Sequence, residues 1–324
     1  MIDVSHVSKS FGDLKVLDDI SFHINQGDIF GIIGQSGAGK STLLRCFNGL
    51  EEFQEGTITV DGHDIGSMSK KQLNEMRKEM GMIFQDFSLL KRLNVYDNIA
   101  LPLQFWKQDK KSPENKAKIE RLLKLVGLED KAKSYPRQLS GGQQQRVAIA
   151  RALVLDPKIL MCDEATSALD PMITKDILDL LLEINKEMNI TIVVVTHQME
   201  VIKQICNKVA FLKNGKIIDV GKPEELFVAP NEEIQSFVGN DAEFLPKDGR
   251  NIKLFFNDDN SSSHAITSIA HDLNINFDIC QGKLENFRGT IMGSLIINVS
   301  EEDANKVFNY LNEKKILWEE IKSE

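Results

Sequence analysis

The chain has 324 residues, which at roughly 150 residues per domain predicts two domains. Apolar residues make up 42% and charged residues 27% of it, a balance that excludes extensive disorder. The formal net charge of −9 provides no basic field and argues against nucleic acid as a partner. The four cysteines are widely spaced, which excludes a disulfide scaffold or a zinc ribbon and favours a reducing compartment. We expect neither a secretory signal nor a membrane span, because no apolar run is long enough.

In the first part of the chain, short apolar runs alternate with helical patterns. Strands that are apolar throughout and alternate with helices predict a parallel sheet covered on both faces, which is an α/β fold. A hairpin turning at Asn214-Gly215 is expected to follow, and residues 94–133 are expected to form an inserted helical lobe. The predicted strands span 28–33, 82–84, 159–162 and 190–196, and the predicted helices span 40–49, 140–155, 174–188 and 198–206.

A second, smaller pattern follows a stretch without apolar periodicity. Its order of strand, helix, strand, strand, helix and strand is that of a ferredoxin-like α+β fold. Alternation of Ile275, Phe277 and Ile279 predicts that its second strand begins there. The predicted parts of the chain are a first domain, a linker and a second domain, at residues 1–238, 239–250 and 251–324.

A glycine-rich segment follows the first predicted strand and opens the first predicted helix. It matches G-x-x-x-x-G-K-[ST], in which backbone N–H groups at a helix N-terminus face phosphates. Lys40 is expected to reach the β- and γ-phosphates of ATP or GTP, and the Ser41 hydroxyl to reach Mg²⁺. A chance glycine-rich turn is the alternative, which the strand–loop–helix context disfavours. The candidate nucleotide-binding residues here are Gly34, Gln35, Ser36, Gly37, Ala38, Gly39, Lys40, Ser41 and Thr42.

Two acids end the strand predicted at 159–162. Asp163 is expected to hold Mg²⁺, directly or through water. Glu164 is expected to lie beside the γ-phosphate and to act as the general base on the attacking water. By themselves the two acids are more typical of a helix cap, but the phosphate loop formed by residues 34–41 of the same chain favours the catalytic interpretation.

A second anion site is predicted where Ser140, Gly141, Gly142 and Gln143 open another helix. Ser140 suits the N-cap, and the two glycines leave backbone N–H groups uncovered. One chain needs only one such site for its nucleotide, so this one could serve a neighbour in a two-fold dimer. An ordinary Ser-Gly-Gly loop is the alternative.

Together, the phosphate loop, residues 139–146 and residues 161–170 resemble the motifs of the ABC-transporter ATPase family. The resemblance covers residues 1–238. It implies a P-loop ATPase domain with a mixed sheet and a helical subdomain, which uses ATP and Mg²⁺ and works as a homodimer.

The resemblance also implies roles for single residues. Phe11 would stack on adenine, Gln85 would contact Mg²⁺ and sense the membrane partner, and His197 would contact the γ-phosphate. Glu164 would be the catalytic base, and Ser140, Gly141 and Gln143 would contact ATP across the dimer. Without the resemblance, Phe11 would be interpreted as core and His197 as structural.

Finer features narrow the family. Residues 81–85, residues 98–103 and Ala165, which stands where many relatives have proline, are similar to methionine-importer ATPases. The small second domain resembles the NIL domain, and residues 288–295 are similar to the glycine-rich entry to its third strand. The resemblance implies an importer of L-methionine, with the D-isomer left open.

The same resemblance implies partners and a regulator. Two copies would lie under two permease subunits at the cytoplasmic face of the membrane, served by an extracytoplasmic methionine-binding protein. Intracellular methionine would bind the second domain and inhibit the ATPase, which is transinhibition. The residues alone indicate that Leu89 and Leu90 pack in the helical lobe, and the resemblance adds that they anchor a permease helix in a groove.

Candidate effector residues are Asn274, Asn276 and Asp278, which would share one strand face by a period of two. A solvated sheet face explains them equally well. Two other functions compete with methionine import: an ABC ATPase for another substrate, such as another amino acid or a lipoprotein, and a soluble ABC protein acting on nucleic acid or the ribosome. The single cassette, the pI near 5.3 and the lack of heptads disfavour the last.

Overall fold

The computed structural model describes residues 1–167, 169–228, 231–238, 245–256 and 264–321. By its internal contacts the chain forms two compact units, Met1–Gly221 and Lys222–Glu324. This division falls before the predicted boundary at residue 238, and residues 239–244 of the predicted linker lie outside the described part. The predicted domain bounds therefore stay a prediction.

The first unit combines two sheets with helices. Its strands are β1 (Ile2–Phe11), β2 (Leu14–Ile24), β3 (Ile29–Ile33), β4 (Glu55–Val60), β5 (His63–Asp64), β6 (Met80–Ile83), β7 (Ile159–Asp163), β8 (Thr191–Thr196), β9 (Lys208–Lys213) and β10 (Lys216–Gly221). Its helices are α1 (Lys40–Phe47), α2 (Lys70–Arg77), α3 (Val95–Ile99), α4 (Leu101–Phe105), α5 (Pro113–Leu125), α6 (Gly141–Leu153), α7 (Pro171–Met188) and α8 (Met199–Ile205).

The larger sheet has six strands in the order β10-β9-β3-β8-β7-β6. All pairs are parallel except the hairpin of β9 and β10. Every residue of β3, β7 and β8 is buried, as expected for parallel strands covered on both faces. The predicted α/β architecture and the hairpin at Asn214 are confirmed. The strand predicted at 82–84 begins two residues earlier, at Met80, and ends before the partly exposed Phe84.

The smaller sheet is antiparallel, in the order β2-β1-β4-β5, and its strands were not predicted from the sequence. Its strands mix buried and exposed residues, and the β1–β2 register shifts three times between Val4 and Ser10. These irregularities obscure the period-two pattern that would identify the strands. Apolar residues such as Ile20 and Ile58 join α1 and β3 in one core.

The second unit contains helices α9 (Pro223–Val228), α10 (Glu232–Val238), α11 (Ala265–Leu273) and α12 (Glu301–Glu313) and strands β11 (Arg250–Phe256), β12 (Asp278–Phe287), β13 (Thr290–Val299) and β14 (Trp318–Ile321). Its antiparallel sheet has the order β12-β13-β11-β14. Ile252, Leu254 and Ile297 of the sheet pack with Ile269 of α11 and Val307 of α12. The predicted β-α-β-β-α-β order of a ferredoxin-like fold is confirmed.

One prediction in this unit is wrong. The strand β12 begins at Asp278, so Asn274, Asn276 and Asp278 do not share a strand face. Asn274 ends α11 in the left-handed conformation, with φ of 49°, which turns the chain and buries Ile275. Ile279, which the predicted alternation places on one strand face with Ile275, is 60% exposed, whereas Ile275 is 8% exposed.

Candidate functional site

The predicted nucleotide-binding residues lie at one edge of the six-stranded sheet. The phosphate loop joins the end of β3 to the start of α1, Asp163 ends β7, and His197 follows β8. Because β3, β8 and β7 are parallel neighbours, their carboxyl ends meet at the edge where α/β proteins bind ligands.

Glycine is required at two positions of the phosphate loop. A Cβ atom at Gly34 would lie 2.1 Å from the backbone oxygen of Leu212. Gly39 has φ of +103°, and a Cβ atom there would lie 2.7 Å from the backbone oxygen of Val16. The loop is therefore held against β2 and β9 at distances that no side chain permits.

Lys40 is buried, with 5% of its surface exposed, and its side chain folds over the phosphate loop. Its Nζ donates hydrogen bonds of 3.0 Å to the backbone oxygens of Gly34 and Gln35 and lies 3.8 Å from Oε1 of Glu164. Burial lowers the pKa of Lys40, and the carboxylates of Glu164 and Asp163 oppose that shift. The loop thus holds a positive charge where phosphates are expected to bind.

Ser41 and Asp163 form the part of the site that fits a magnesium ion. The Ser41 hydroxyl donates a 2.6 Å hydrogen bond to Oδ1 of Asp163, whose other oxygen lies 3.9 Å from Arg45. Within the described ranges, no group of three or more His, Cys, Asp and Glu could hold a metal by itself. Mg²⁺ commonly takes one or two carboxylates and completes its shell with phosphates and water, so this donor pair fits it beside a nucleotide.

Glu164 lies between a lysine and a histidine. Nδ1 of His197 lies 3.3 Å from Oε1 of Glu164, on which Lys40 also converges. Glu164 has φ of 48°, and its backbone is held by hydrogen bonds to Val195 and Ser167. A left-handed non-glycine residue is strained, so the surrounding structure holds this carboxylate in place.

Phe11 lies at the end of β1 and is 47% exposed, so it is not a core residue. Lys9 places its Nζ 4.5 Å from the centre of the ring. Phe11 pairs with Leu14 across the β1–β2 hairpin, two residues from Val16, which touches the phosphate loop at Gly39. An exposed aromatic ring beside that loop can stack on a base.

Gln85 follows β6 at the same edge, because Ile83 pairs with Cys162 of β7. Its side chain is exposed. In the described part of the chain, no hydrogen bond or ion pair connects it to Ser41 or Asp163.

Ser140 and Gln143 bond to each other rather than to the phosphate loop. The Ser140 hydroxyl accepts from the backbone N–H of Gln143 at 3.3 Å, and the Gln143 side chain accepts from the backbone N–H of Ser140 at 3.0 Å. A Cβ atom at Gly142 would lie 2.4 Å from Ile173 of α7. Among described residues, no hydrogen bond or ion pair joins this helix start to Lys40.

Two features were missed in the sequence. Arg45 lies one helical turn after Ser41, and this spacing of four was the available signal. A groove of about 300 Å³ is lined by apolar residues in and just after β6 and α4, including Phe84, Phe105 and Trp106. The predicted anchors Leu89 and Leu90 are not among its lining residues.

Comparisons with known proteins agree with this architecture. A family model described as ABC transporter matches residues 17–167, and one described as NIL domain matches residues 250–320. The methionine import ATP-binding protein MetN of Clostridium tetani is 56% identical over 321 residues, covering 99% of this chain and 100% of the relative. The protein of that name from Clostridioides difficile is 53% identical over 324 residues, the full length of both. The chain belongs to the family of methionine import ATP-binding proteins.

This methionine import ATP-binding protein family member also resembles proteins of known structure. The dimeric post-hydrolysis ATP-binding cassette MJ0796, bound to ADP and Pi, is 34% identical, with a TM-score of 0.63 over 69% of this chain and 99% of that one. The protein cbiO1 of Clostridium perfringens, part of the ABC transporter complex cbiONQ, is also 34% identical, with a TM-score of 0.65 over 70% of this chain and 90% of that one. The chain is thus an ABC-type ATPase. No helix among its described residues is long and apolar enough to cross a membrane.

Proposed function

We propose that this chain is the ATP-hydrolysing subunit of an ABC importer that energises methionine uptake. The observation that carries the proposal is the convergence of Lys40, Glu164 and His197 beside the Ser41–Asp163 pair. The names of the relatives and the match to the NIL domain support methionine as the substrate. Another amino acid or a lipoprotein is the alternative substrate.

The proposed roles follow from the contacts. Lys40 binds the β- and γ-phosphates, and Ser41, Asp163 and Gln85 hold Mg²⁺, which when bound neutralises phosphate charge. Glu164 accepts the proton of the attacking water, and its contacts keep the carboxylate oriented. His197, next to Glu164, donates a hydrogen bond to the γ-phosphate.

In the proposed dimer, two copies of the chain together complete two nucleotide sites. The start of α6, with Ser140, Gly141, Gly142 and Gln143, binds the nucleotide held by the partner copy. This role is consistent with the lack, among the described residues, of a hydrogen bond or ion pair between this helix start and Lys40 of its own chain. A C2 dimer would supply both contacts at once. The dimeric relative of known structure supports this arrangement.

The groove beside α4 is proposed to receive a helix of the permease. Phe105 is 75% exposed there, next to Trp106. Apolar anchors in such a groove typify helix-in-groove binding. This contact would hold two copies at the cytoplasmic face of the membrane, under two permease subunits that receive methionine from an extracytoplasmic binding protein.

Reconstitution with the permease in vesicles tests the function. We expect ATP-dependent accumulation of methionine in preference to a panel of other amino acids. Phe105→Glu is expected to lower this uptake more than about tenfold, because it places a charge in an apolar contact. ATPase activity of the isolated subunit should not change.

The control variant is Leu50→Glu, at another exposed apolar residue of the same unit, which should transport normally. Accumulation of a different amino acid would contradict methionine as the substrate and identify that amino acid instead. Uptake by Phe105→Glu at the unaltered rate would contradict the docking groove.

Intracellular methionine is further proposed to bind the NIL domain and inhibit hydrolysis. The candidate contacts are Asn274, Asn276 and Asp278, three exposed residues between the end of α11 and the start of β12. Their amide and carboxylate groups suit the ammonium and carboxylate of an amino acid.

The variant Asn274→Gly/Asn276→Ala/Asp278→Ala is expected to keep its basal ATPase rate and lose inhibition by methionine. Glycine at 274 preserves the left-handed turn, which alanine would strain. The measurement is ATPase rate against methionine concentration, beside the single variant Asn274→Gly. An unchanged inhibition curve for the triple variant would remove these residues from the effector site.

A further inference from the structure

A cavity of about 550 Å³ in the first unit lies away from the nucleotide site. Its walls come from the β4–β5 turn, α2 and the amino ends of β6 and β7. The nucleotide-site residues lie at the carboxyl ends of the parallel strands, whereas the cavity lies at their amino ends. Because β7 has five residues, about 15 Å separates these two ends. Its volume is within the roughly 300–1,000 Å³ of small-molecule sites.

The floor of this cavity is apolar and adaptable. Val60, Met80 and Ile159 are buried there, with 2%, 8% and 1% of their surfaces exposed. Four of the ten methionines of the chain line this one cavity. Because methionine side chains are flexible and polarisable, they mould to an apolar chain of irregular shape.

The helix α2 covers the cavity and buries its own apolar residues only in part. None of its residues is buried, and Leu73 and Met76 are only partly covered by the core. A surface helix ordinarily buries an apolar stripe. The helix is instead fixed at its ends, by a capping box at Ser69 and by Arg77, which donates to the backbone oxygen of Asn48 at 3.0 Å. An apolar ligand would complete the burial that α2 lacks.

The rim carries an unpaired positive charge. Lys158 pairs with Asp61 at 2.8 Å and with Glu79 at 3.0 Å, and Lys78 pairs with Glu75 at 2.5 Å. Lys71 also lines the cavity, and within the described residues it has no hydrogen bond or ion pair. A ligand anion can therefore pair with Lys71 directly, whereas a ligand ammonium would have to displace a lysine from its acid.

We propose that the cavity under α2 binds a small amphiphile with one apolar chain and one carboxylate, of the medium-chain fatty-acid class. The carboxylate pairs with Lys71, and the chain lies on Met76 and Met80. This site is distinct from the nucleotide site and from the NIL domain, and its occupancy requires neither hydrolysis nor transport.

Calorimetric titration of octanoate into the full-length chain, without nucleotide, tests the proposal. We expect saturable binding that strengthens about fourfold per methylene from hexanoate to octanoate. Octanol, which lacks the anion, should bind at least about tenfold more weakly. Lys71→Glu should weaken octanoate binding at least about tenfold, since it places a repelling charge at the rim.

The matched control is Lys70→Glu, which changes the neighbouring lysine that does not line the cavity and should leave binding unaltered. Met76→Gln should weaken octanoate binding, because it places a polar amide against the apolar chain of the ligand. Thermal melts would establish that each variant is folded. Absence of saturable binding would overturn the proposal, as would equal affinity in the two lysine variants. Binding seen only with vesicles of anionic phospholipid would also overturn it, in favour of a lipid surface.

Discussion

Replacing Glu164 by glutamine is expected to lower the rate of ATP hydrolysis by a factor of about 10³, because the general base is lost. The amide keeps the shape of the side chain between Lys40 and His197, so ATP should still bind. With hydrolysis blocked, the ATP-bound dimer should accumulate. The measurements are steady-state ATPase rate, nucleotide affinity and the oligomeric state with ATP.

The control for this prediction is Glu187→Gln, at an exposed acid on α7 outside the site, which should hydrolyse ATP at the normal rate. An ATPase rate for Glu164→Gln within about threefold of the unaltered chain would contradict the assignment of the base. Loss of ATP binding in the same variant would instead indicate that Glu164 shapes the site.

Replacing Lys40 by alanine is expected to weaken ATP binding by a factor of roughly 10 to 150, because a charge-assisted bond to the phosphates is lost. The same substitution removes the two hydrogen bonds that Lys40 donates to the loop and leaves Glu164 without its cation. Hydrolysis should fall to background. Equilibrium binding of a fluorescent ATP analogue would measure the affinity.

Lys175→Ala, which changes an exposed lysine of α7, is the matched control and should bind ATP normally. Chemical denaturation should accompany the binding measurement, because an unfolded variant would also fail to bind. A folded Lys40→Ala chain with unaltered ATP affinity would contradict the phosphate-binding role of the loop.

Local patterns predicted much of the fold. The fully buried strands β3, β7 and β8 were recognisable because each is a continuous apolar run, and the fold of the second unit followed from its order of elements. The antiparallel sheet of the first unit was not recognised, because bulges interrupt its alternation. The prediction of a strand from Ile275 was wrong because Asn274 turns the chain there, and hydrophobic periodicity does not reveal such a turn.

The sequence by itself determined the phosphate loop, the acids at the end of β7 and Ser140 as an N-cap, because each depends on residues close together in the chain. Only the tertiary structure decided that Ser41 meets Asp163, 122 residues away, and that His197 meets Glu164. These contacts require β3, β8 and β7 to be neighbours, and strand order arises from long-range pairing that local patterns do not contain. The cavity under α2 is likewise a tertiary feature, since its lining residues come from segments as far apart in the chain as Met1 and Ile159.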